Sequence, residues 1–176
     1  MGCELTAGRL LDCKNSVGGI RSILLMELAD YDPTYTATIL TAVTAAVGFR
    51  YDLPKATGNF SEAITVSSEN GSVFYEDTLT IKLHKLDAAT RNEIKLIAQN
   101  RLVCFILDNN NEQWCMGEVL GAELTAGTAA TGTALGDAYA YDLTFMSQEK
   151  EPMRNAATYT TTPWDNITGL TVNPAY

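Results

Sequence analysis

Val73-Phe-Tyr-Glu-Asp-Thr-Leu-Thr-Ile-Lys-Leu-His84 gives one of the strongest periodic signals in the chain, and we predict the neighbouring elements starting from it. Its second half alternates, with Leu79, Ile81 and Leu83 on one face and Thr78, Thr80, Lys82 and His84 on the other. A period of two predicts a half-buried β-strand. Residues 60–68 alternate as well, and Asn70-Gly71 lies between the two runs. Asn-Gly suits the positive φ angles of a type I′ turn, so we expect a β-hairpin here.

One helix is predicted directly after this strand, at residues 87–99. Asp87 can cap it by accepting hydrogen bonds from the amides of the first turn. Apolar or small side chains share one face of the helix, which therefore needs a partner surface, and the neighbouring sheet is the candidate. These side chains are Leu86, Thr90, Ile94, Ile97 and Ala98. Asn100 can adopt the left-handed conformation that ends a helix.

Residues 102–107 are apolar without alternation, which predicts a central strand covered on both faces. A polar turn at 108–112 and a returning strand at 113–120 follow. Cys104 would face Cys115 across this hairpin only if the turn used two residues, and a three-residue turn would remove the pairing. The chain has four cysteines without the paired spacing of a zinc site. We expect them to be free thiols in a reducing compartment.

The remaining segments give weaker signals. Residues 21–28 contain an apolar run that suits a strand buried on both faces, and periodicity alone fits a buried helix turn as well. Residues 34–50 mix alanine with threonine and valine, and we assign them to extended or irregular structure, with a short strand at 49–53. Residues 126–136 form a low-complexity Gly/Thr/Ala loop. Residues 137–148 are the last clear strand, with Tyr139, Tyr141, Leu143 and Phe145 on one face.

These elements define a mainly β fold with one α-helix. We expect an antiparallel β-sandwich or barrel-like subunit with a flanking helix and extended terminal arms. The chain of 176 residues fits a single domain, with an N-terminal arm at 1–19, a β-rich core at 20–150 and a C-terminal arm at 151–176. Apolar residues in the arms and small residues of the loop are predicted to contact neighbouring subunits. They are Leu10, Leu11, Gly127, Thr128, Thr131, Thr133, Leu135, Tyr159, Trp164, Leu170 and Tyr176.

Composition limits the possible functions. Hydrophobic residues make up 46% of the chain and charged residues 19%, as in a globular protein. The formal net charge of −9 argues against a surface that grips nucleic acid, although nucleic acid could slide past such a surface. The chain lacks an apolar run of the roughly 18 residues that a membrane helix needs. It also lacks a recognisable signal peptide, so we expect cytoplasmic synthesis and no membrane partner.

Catalytic signatures are missing from the sequence. It contains no nucleophile-elbow, phosphate-loop or zinc-protease motif. His84 is the only histidine, and its outward position on a strand suggests a surface residue. The acidic pairs Glu76/Asp77 and Asp30/Asp32 lack the spacing of a calcium loop. We therefore expect neither enzyme activity nor a metal or cofactor.

Six segments together resemble a group of bacteriophage virion structural proteins. They are Cys3-Glu-Leu-Thr-Ala-Gly-Arg9, Cys13-Lys-Asn-Ser-Val-Gly-Gly-Ile20, Phe74-Tyr-Glu-Asp-Thr-Leu-Thr-Ile-Lys-Leu-His84, Lys85-Leu-Asp-Ala-Ala-Thr-Arg-Asn-Glu93, Gly127-Thr-Ala-Ala-Thr-Gly-Thr-Ala-Leu-Gly-Asp137 and Phe145-Met-Ser-Gln-Glu-Lys-Glu-Pro152. The resemblance covers most of the chain as an overall pattern. Size and element order are similar to those of the tail-tube family, from which residues 34–57 depart.

The resemblance implies a β-sandwich with one flanking helix that assembles into stacked, hexameric rings. The inner strands of a ring would then join into one β-barrel around a channel, whose acidic lining lets genomic DNA pass without specific binding. Its partners would be further copies of the chain and other virion proteins, in the phage tail. The alternatives are a capsid-decorating or head–tail joining protein, and a carbohydrate-binding β-sandwich that uses Trp114 and Trp164 as sugar platforms.

Overall fold

The computed structural model describes residues 8–9 and 14–174, which form two β-sheets, one α-helix and a short 3-10 turn at Leu28–Asp30. The strands are β1 (Ile20–Glu27), β2 (Pro33–Thr36), β3 (Ile39–Asp52), β4 (Gly58–Ser67), β5 (Ser72–His84), β6 (Leu102–Asp108), β7 (Gln113–Met116), β8 (Glu123–Ala130), β9 (Ala140–Glu149), β10 (Arg154–Asn155) and β11 (Thr168–Asn173). The helix α1 is Ala88–Ile97. The predicted fold class, mainly β with one helix, is confirmed.

The larger sheet has seven strands in the order β10-β7-β6-β1-β3-β11, with β2 paired to β3. The smaller sheet has four strands in the order β4-β5-β9-β8. All pairs are antiparallel except β11 with β3. The two sheets pack face to face as a sandwich around one hydrophobic cluster, and a second cluster covers the opposite face of the larger sheet.

Strand β6 explains why two clusters exist. Its residues Leu102 to Leu107 are all buried, as predicted for a central strand. Cys104 and Ile106 point into the sandwich beside Leu79 and Phe145. The alternate residues Val103, Phe105 and Leu107 point to the other cluster. A strand covered on both faces needs no polar face, so its sequence shows no alternation.

The helix packs against the sandwich, as its apolar face predicted. The Asp87 carboxylate accepts the Thr90 N–H at 2.7 Å, which confirms the predicted N-cap. Ile97 is buried and Ile94 packs against the same cluster. The predicted C-terminus is wrong, because the helix ends at Ile97 and Asn100 does not have a positive φ. Short 3-10-type bonds close the helix instead of a left-handed residue.

Both predicted hairpins form, with turns that differ from the simplest expectation. The pairing of Ser67 with Ser72 leaves a four-residue loop, in which only Gly71 has a positive φ, so a type I′ turn at Asn70-Gly71 is wrong. In the β6–β7 hairpin the Asp108 N–H bonds to the Glu112 carbonyl oxygen, which leaves three residues in the turn. Cys104 therefore pairs with Met116 and not with Cys115, and both cysteines are free.

Residues 34–52 are more regular than predicted. They form β2 and the fourteen-residue β3, and the separate short strand expected at 49–53 is the end of β3. Ala45 has a positive φ of 44° and the β2–β3 register shifts beside Tyr35, so side-chain alternation is broken along the strand. Such a break hides a strand from any search for a period of two.

Two further segments were wrongly predicted as irregular. Residues 126–130 belong to β8 instead of a loop, and they pair with β9 through Ala130. The described part of the predicted C-terminal arm, residues 151–174, is not an arm: it contributes β10 and β11, and Trp164 and Ile167 between them are buried. These two side chains lie in the second cluster and cover the outer face of the larger sheet.

Candidate assembly surfaces

The smaller sheet has two exposed edges. Strands β4 and β8 form these edges, and nearly every residue in them is partly or fully exposed. Soluble proteins usually protect such edges with lysine, proline or a covering segment. Neither strand contains a lysine, arginine or proline, and each carries one charged residue, Glu62 in β4 and Glu123 in β8. Both edges are therefore suited to pairing with another strand.

Strand directions determine how two such edges can meet. Each neighbouring pair in β4-β5-β9-β8 is antiparallel, so β4 and β8 run in opposite directions. Copies related by rotation about an axis along the strands keep the same strand directions. The β8 strand of one copy would then lie antiparallel to β4 of the next, and the antiparallel sheet would continue without interruption.

One hydrogen bond shows which backbone groups of β8 face its free edge. Lys82 N–H donates to the Thr57 carbonyl oxygen at 2.8 Å, which fixes the alternation of bonded pairs between β4 and β5. Bonded and non-bonded pairs alternate in the same way from β5 to β9 and from β9 to β8. The backbone N–H and C=O of Gly127 and Ala129 therefore point to the free edge. These groups are available to a partner strand.

The face of the smaller sheet that points away from the sandwich carries many small and hydroxylated side chains. They include Asn59, Ser61, Thr65, Thr78, Thr80, Ala126, Thr128, Ala130 and Thr144. Larger side chains on the same face are Phe74, Glu76, His84, Met146 and Gln148. Its charges are mostly paired: Lys82 lies 3.2 Å from Asp142, and Glu123 lies 3.0 Å from Arg101. The net charge of −9 is therefore not concentrated on this face, which is less acidic than the resemblance implied.

Three of the predicted interface residues, Leu10, Leu11 and Tyr176, lie outside the described residues. Gly127 and Thr128 lie in the exposed edge strand β8. The other loop residues, Thr131, Thr133 and Leu135, lie in the turn 131–137 that follows β8. The Asp137 carboxylate holds this turn by accepting the backbone N–H groups of Thr133 and Ala134 at 2.7 and 2.8 Å. These bonds also hold the pKa of Asp137 below its usual value.

The predicted interface residues near the C-terminus pack instead within their own chain. Trp164 is 1% exposed, and Leu170 packs against the same cluster. The Tyr159 hydroxyl accepts a bond from Arg21 and donates one to Asn111. Burial of Trp164 also removes it as a sugar platform, and the second tryptophan, Trp114, packs against the ring of Phe60.

The sequence reasoning missed two exposed apolar features at the other end of the sheet. Ile64, Val66 and Val73 lie on the β4–β5 hairpin and are 62%, 63% and 48% exposed. Val119 and Leu120 are also exposed. The first feature had a visible signal, since the alternating apolar face continues in β4 and β5 after β9 has ended. The exposed pair Val119 and Leu120 gave no sequence signal, because its position depends on the distant carboxylate of Glu149.

A buried group of polar side chains lies close to this end. The Glu149 carboxylate accepts the backbone N–H groups of Val119 and Leu120 at 3.0 and 2.8 Å. Asp77, in the adjacent strand, is 1% exposed and accepts a bond from Ser147 at 2.9 Å through one oxygen. Its other oxygen lacks a partner among the described residues. Burial raises the pKa of Asp77 to about 6, assisted by nearby carboxylates.

A second polar group ties the C-terminal region to the larger sheet. The hydroxyls of Tyr31 and Tyr35 donate to one Glu118 oxygen at 2.6 and 3.0 Å. Arg154 lies 3.8 Å from the other Glu118 oxygen and stacks over the Tyr35 ring. Burial raises the pKa of Tyr31, and it raises that of Tyr35 to about 12. Both phenols therefore stay neutral and act as hydrogen-bond donors.

A cavity of about 500 Å³ lies between the start of α1 and the ends of β3 and β11. It is lined by His84, Phe49 and Asp87 among others, and the Asp87 carboxylate is already bonded to Thr90 as the helix cap. Within residues 8–9 and 14–174, three or more His, Cys, Asp or Glu side chains are nowhere arranged to hold a metal ion. Across the same residues, every helix is too short or too polar to cross a bilayer.

Comparison with known proteins gives no relative: no protein-family model, curated protein or solved structure matches this chain.

Proposed function

We propose that the protein is the structural subunit of a bacteriophage tail tube, which assembles into rings around a channel for DNA. The observation that carries the proposal is the four-stranded antiparallel sheet with two unprotected edges of opposite direction. Sequence resemblance to virion structural proteins supplies the biological setting. Rotation about an axis along the strands brings β8 of one copy beside β4 of the next, as an antiparallel pair.

A ring of this kind removes every free edge of the smaller sheet. The sheet contains only four strands, whereas a barrel that leaves an aqueous channel needs many more, so several copies must contribute. Hexameric rings, as in the tail-tube family, satisfy this condition.

In the proposed ring the small, hydroxylated face of the sheet lines the channel. This lining suits DNA passage, because it offers the phosphates few unpaired cations. Lys82 on this face is paired with Asp142. Transient hydrogen bonds to hydroxyl groups do not hold a polyanion as a cluster of lysines does.

The test uses one edge residue, Ala129, whose backbone N–H points away from β9. Proline at this position removes that donor, and edge strands tolerate proline. The control A129S keeps the N–H and is similar in size. Wild type and A129S should form rings or tubes by negative-stain microscopy, whereas A129P should remain a folded monomer by circular dichroism and sedimentation.

Two results would contradict the proposal. One is wild-type protein that stays monomeric at high concentration. The other is A129P protein that forms the same rings as wild type, since lateral pairing through β8 would then be unnecessary. Wild-type protein that decorates purified capsids, or forms rings that never stack, would favour a capsid or head–tail joining role instead.

A further inference from the structure

The cavity of about 500 Å³ near the start of α1 lies where the two sheets and the helix meet. Its volume falls within the roughly 300–1,000 Å³ that is typical of small-molecule sites. Among the described residues, β3, β5, α1 and β11 contribute to its wall, whereas β4 and β8 do not. The cavity is therefore separate from the edges proposed for lateral pairing.

The wall of the cavity has an apolar part formed by Phe49, Tyr51 and Leu83. Phe49 and Tyr51 are two residues apart in β3, so their side chains lie on the same face of the strand. Tyr51 and Leu83 pack against the sandwich core, whereas Phe49 is 48% exposed. An aromatic ring exposed in a cavity is stabilised when an apolar or cationic group covers it.

The groups in the cavity that would bind an anion are already occupied. Arg50 donates through Nε and Nη2 to the Asp52 carboxylate at 2.8 and 2.7 Å. At the start of α1 the Asp87 carboxylate accepts the Thr90 N–H at 2.7 Å and the Thr90 hydroxyl at 2.9 Å. These bonds also hold the pKa of Asp87 below its usual value. An anionic ligand would have to displace one of these two carboxylates.

Glu93 is the carboxylate of the cavity that lacks a partner. It lies three residues after Thr90 and six after Asp87, on the face of α1 that lines the cavity. Its side chain is half-buried and forms neither a hydrogen bond nor an ion pair within the described part of the chain. A half-buried carboxylate is screened less by salt than a fully exposed one, so it attracts a cation more strongly.

The charges of the lining are acidic in sum. Three carboxylates line the cavity with one guanidinium, and the imidazole of His84 is also in the wall. Lys55 and Lys85 neighbour lining residues in the sequence but are not part of the wall. An unpaired carboxylate near an aromatic ring attracts an organic cation, through opposite charge and through cation–π contact.

We propose that this cavity binds an organic cation, an ammonium group carried on an apolar body. The charge would lie beside Glu93, and the apolar part would lie against Phe49 and Leu83. The aromatic and apolar wall favours a cation that carries hydrocarbon over a strongly hydrated metal ion. This site does not depend on ring assembly, because the β4 and β8 edges lie elsewhere in the fold.

Saturation-transfer NMR with choline as the probe tests the site, because it detects a ligand bound to monomers and to large assemblies alike. The matched neutral probe is the alcohol in which a tert-butyl group replaces the trimethylammonium of choline. Choline should bind wild-type protein at least ~10-fold more tightly than the alcohol, which corresponds to ~1.4 kcal/mol. Equal binding of the two probes, or no saturation transfer to choline, overturns the proposal.

Variants locate the binding. E93Q keeps the size of the side chain and removes its charge, so it should weaken choline binding at least ~5-fold and leave the alcohol unaffected. F49L keeps apolar bulk without an aromatic face and should weaken choline binding by ~2- to 5-fold, whereas F49Y should bind like wild type.

The control E69Q removes an exposed carboxylate from the β4–β5 turn and should bind choline like wild type. Choline binding by E93Q equal to that of wild type, or an equal loss in E69Q, would place the cation elsewhere and overturn the proposal. A protein that binds choline as expected but forms no rings would keep this site and contradict the tube.

Discussion

Replacing Trp164 by alanine tests whether the C-terminal segment belongs to the core. The indole is 1% exposed in the cluster on the outer face of the larger sheet, and the backbone N–H of Trp164 donates to the Gln113 side chain at 3.1 Å. Removing a fully buried tryptophan typically costs about 3–5 kcal/mol. In a chain of this size each kcal/mol lowers the melting temperature by roughly 2–4 °C. We therefore expect W164A to melt about 6–20 °C below wild type.

The assay is urea and thermal unfolding followed by circular dichroism, at a concentration at which sedimentation shows only monomer, because assembly would add apparent stability. W164F should cost less than half as much as W164A, since phenylalanine keeps most of the packing and removes the indole N–H, which has no partner among the described residues. L135A, at a fully exposed position, should change the free energy of unfolding by less than about 0.5 kcal/mol. A W164A effect below about 1 kcal/mol would contradict the burial of Trp164 in the core.

Three further predictions concern the described core. Asp77, with a pKa raised to about 6, binds its proton more tightly when folded, so stability falls as pH rises from about 4 to about 6. D77N should flatten this fall and be about 1–3 kcal/mol more stable at pH 7 by urea unfolding. G169A should be destabilised by more than about 2 kcal/mol in the same assay, because Gly169 has a φ of 83° and a Cβ would lie 2.0 Å from a β3 carbonyl oxygen. In a C3S/C13S background, Cys104 and Cys115 should react with a thiol reagent only after unfolding, because burial raises both pKa values, to about 12 for Cys104.

Each of these three has a control or an opposing result. E76Q changes a neighbouring carboxylate on the opposite face, and it should leave the pH dependence of unfolding as in wild type. G136A adds a methyl group that no atom of the described residues would approach within 4 Å, so a loss equal to that of G169A would contradict the steric argument. Two thiols that react in the native protein at the rate seen in denaturant would contradict burial of both cysteines.

Local sequence patterns predicted the parts of the fold that local physics decides. The apolar run of β6, the alternation of β5 and the helix cap at Asp87 all depend on neighbours within a few residues, and all three are present. The two-sheet arrangement also follows from these elements, because α1 and β6 both need cover. The exact turn conformations did not follow, since turns of different length can join the same two strands.

The missed strands were fixed by distant parts of the chain. β3 is interrupted by Ala45 with its positive φ, and its mixture of alanine and threonine has no clear preference until β1, β2 and β11 pair with it. β8 has no continuous apolar face, because it is an exposed edge strand of small residues. The position of Trp164 depends on Gln113, a contact that no local pattern contains.

The candidate assembly surfaces include some of the predicted interface residues, whose role stays a prediction. The Gly/Thr/Ala region is exposed, and Gly127, Thr128 and Leu135 lie on the β8 edge or in its turn. Because this region was predicted to be a flexible loop, the edge strand β8 was missed, although it is the feature most relevant to assembly. Large apolar residues such as Trp164 were predicted to contact neighbouring subunits, because a solvated tail has no reason to keep them. Trp164 is instead buried within its own chain.

The central claim is that copies of this chain pair laterally through β4 and β8 into rings that stack into a tube. The most direct measurement is negative-stain electron microscopy of the purified wild-type protein over a range of concentrations. We predict hollow rings viewed end-on and tubes with a regular axial repeat viewed from the side. Only monomers at the highest concentration, or solid fibres without a central channel, would contradict the claim.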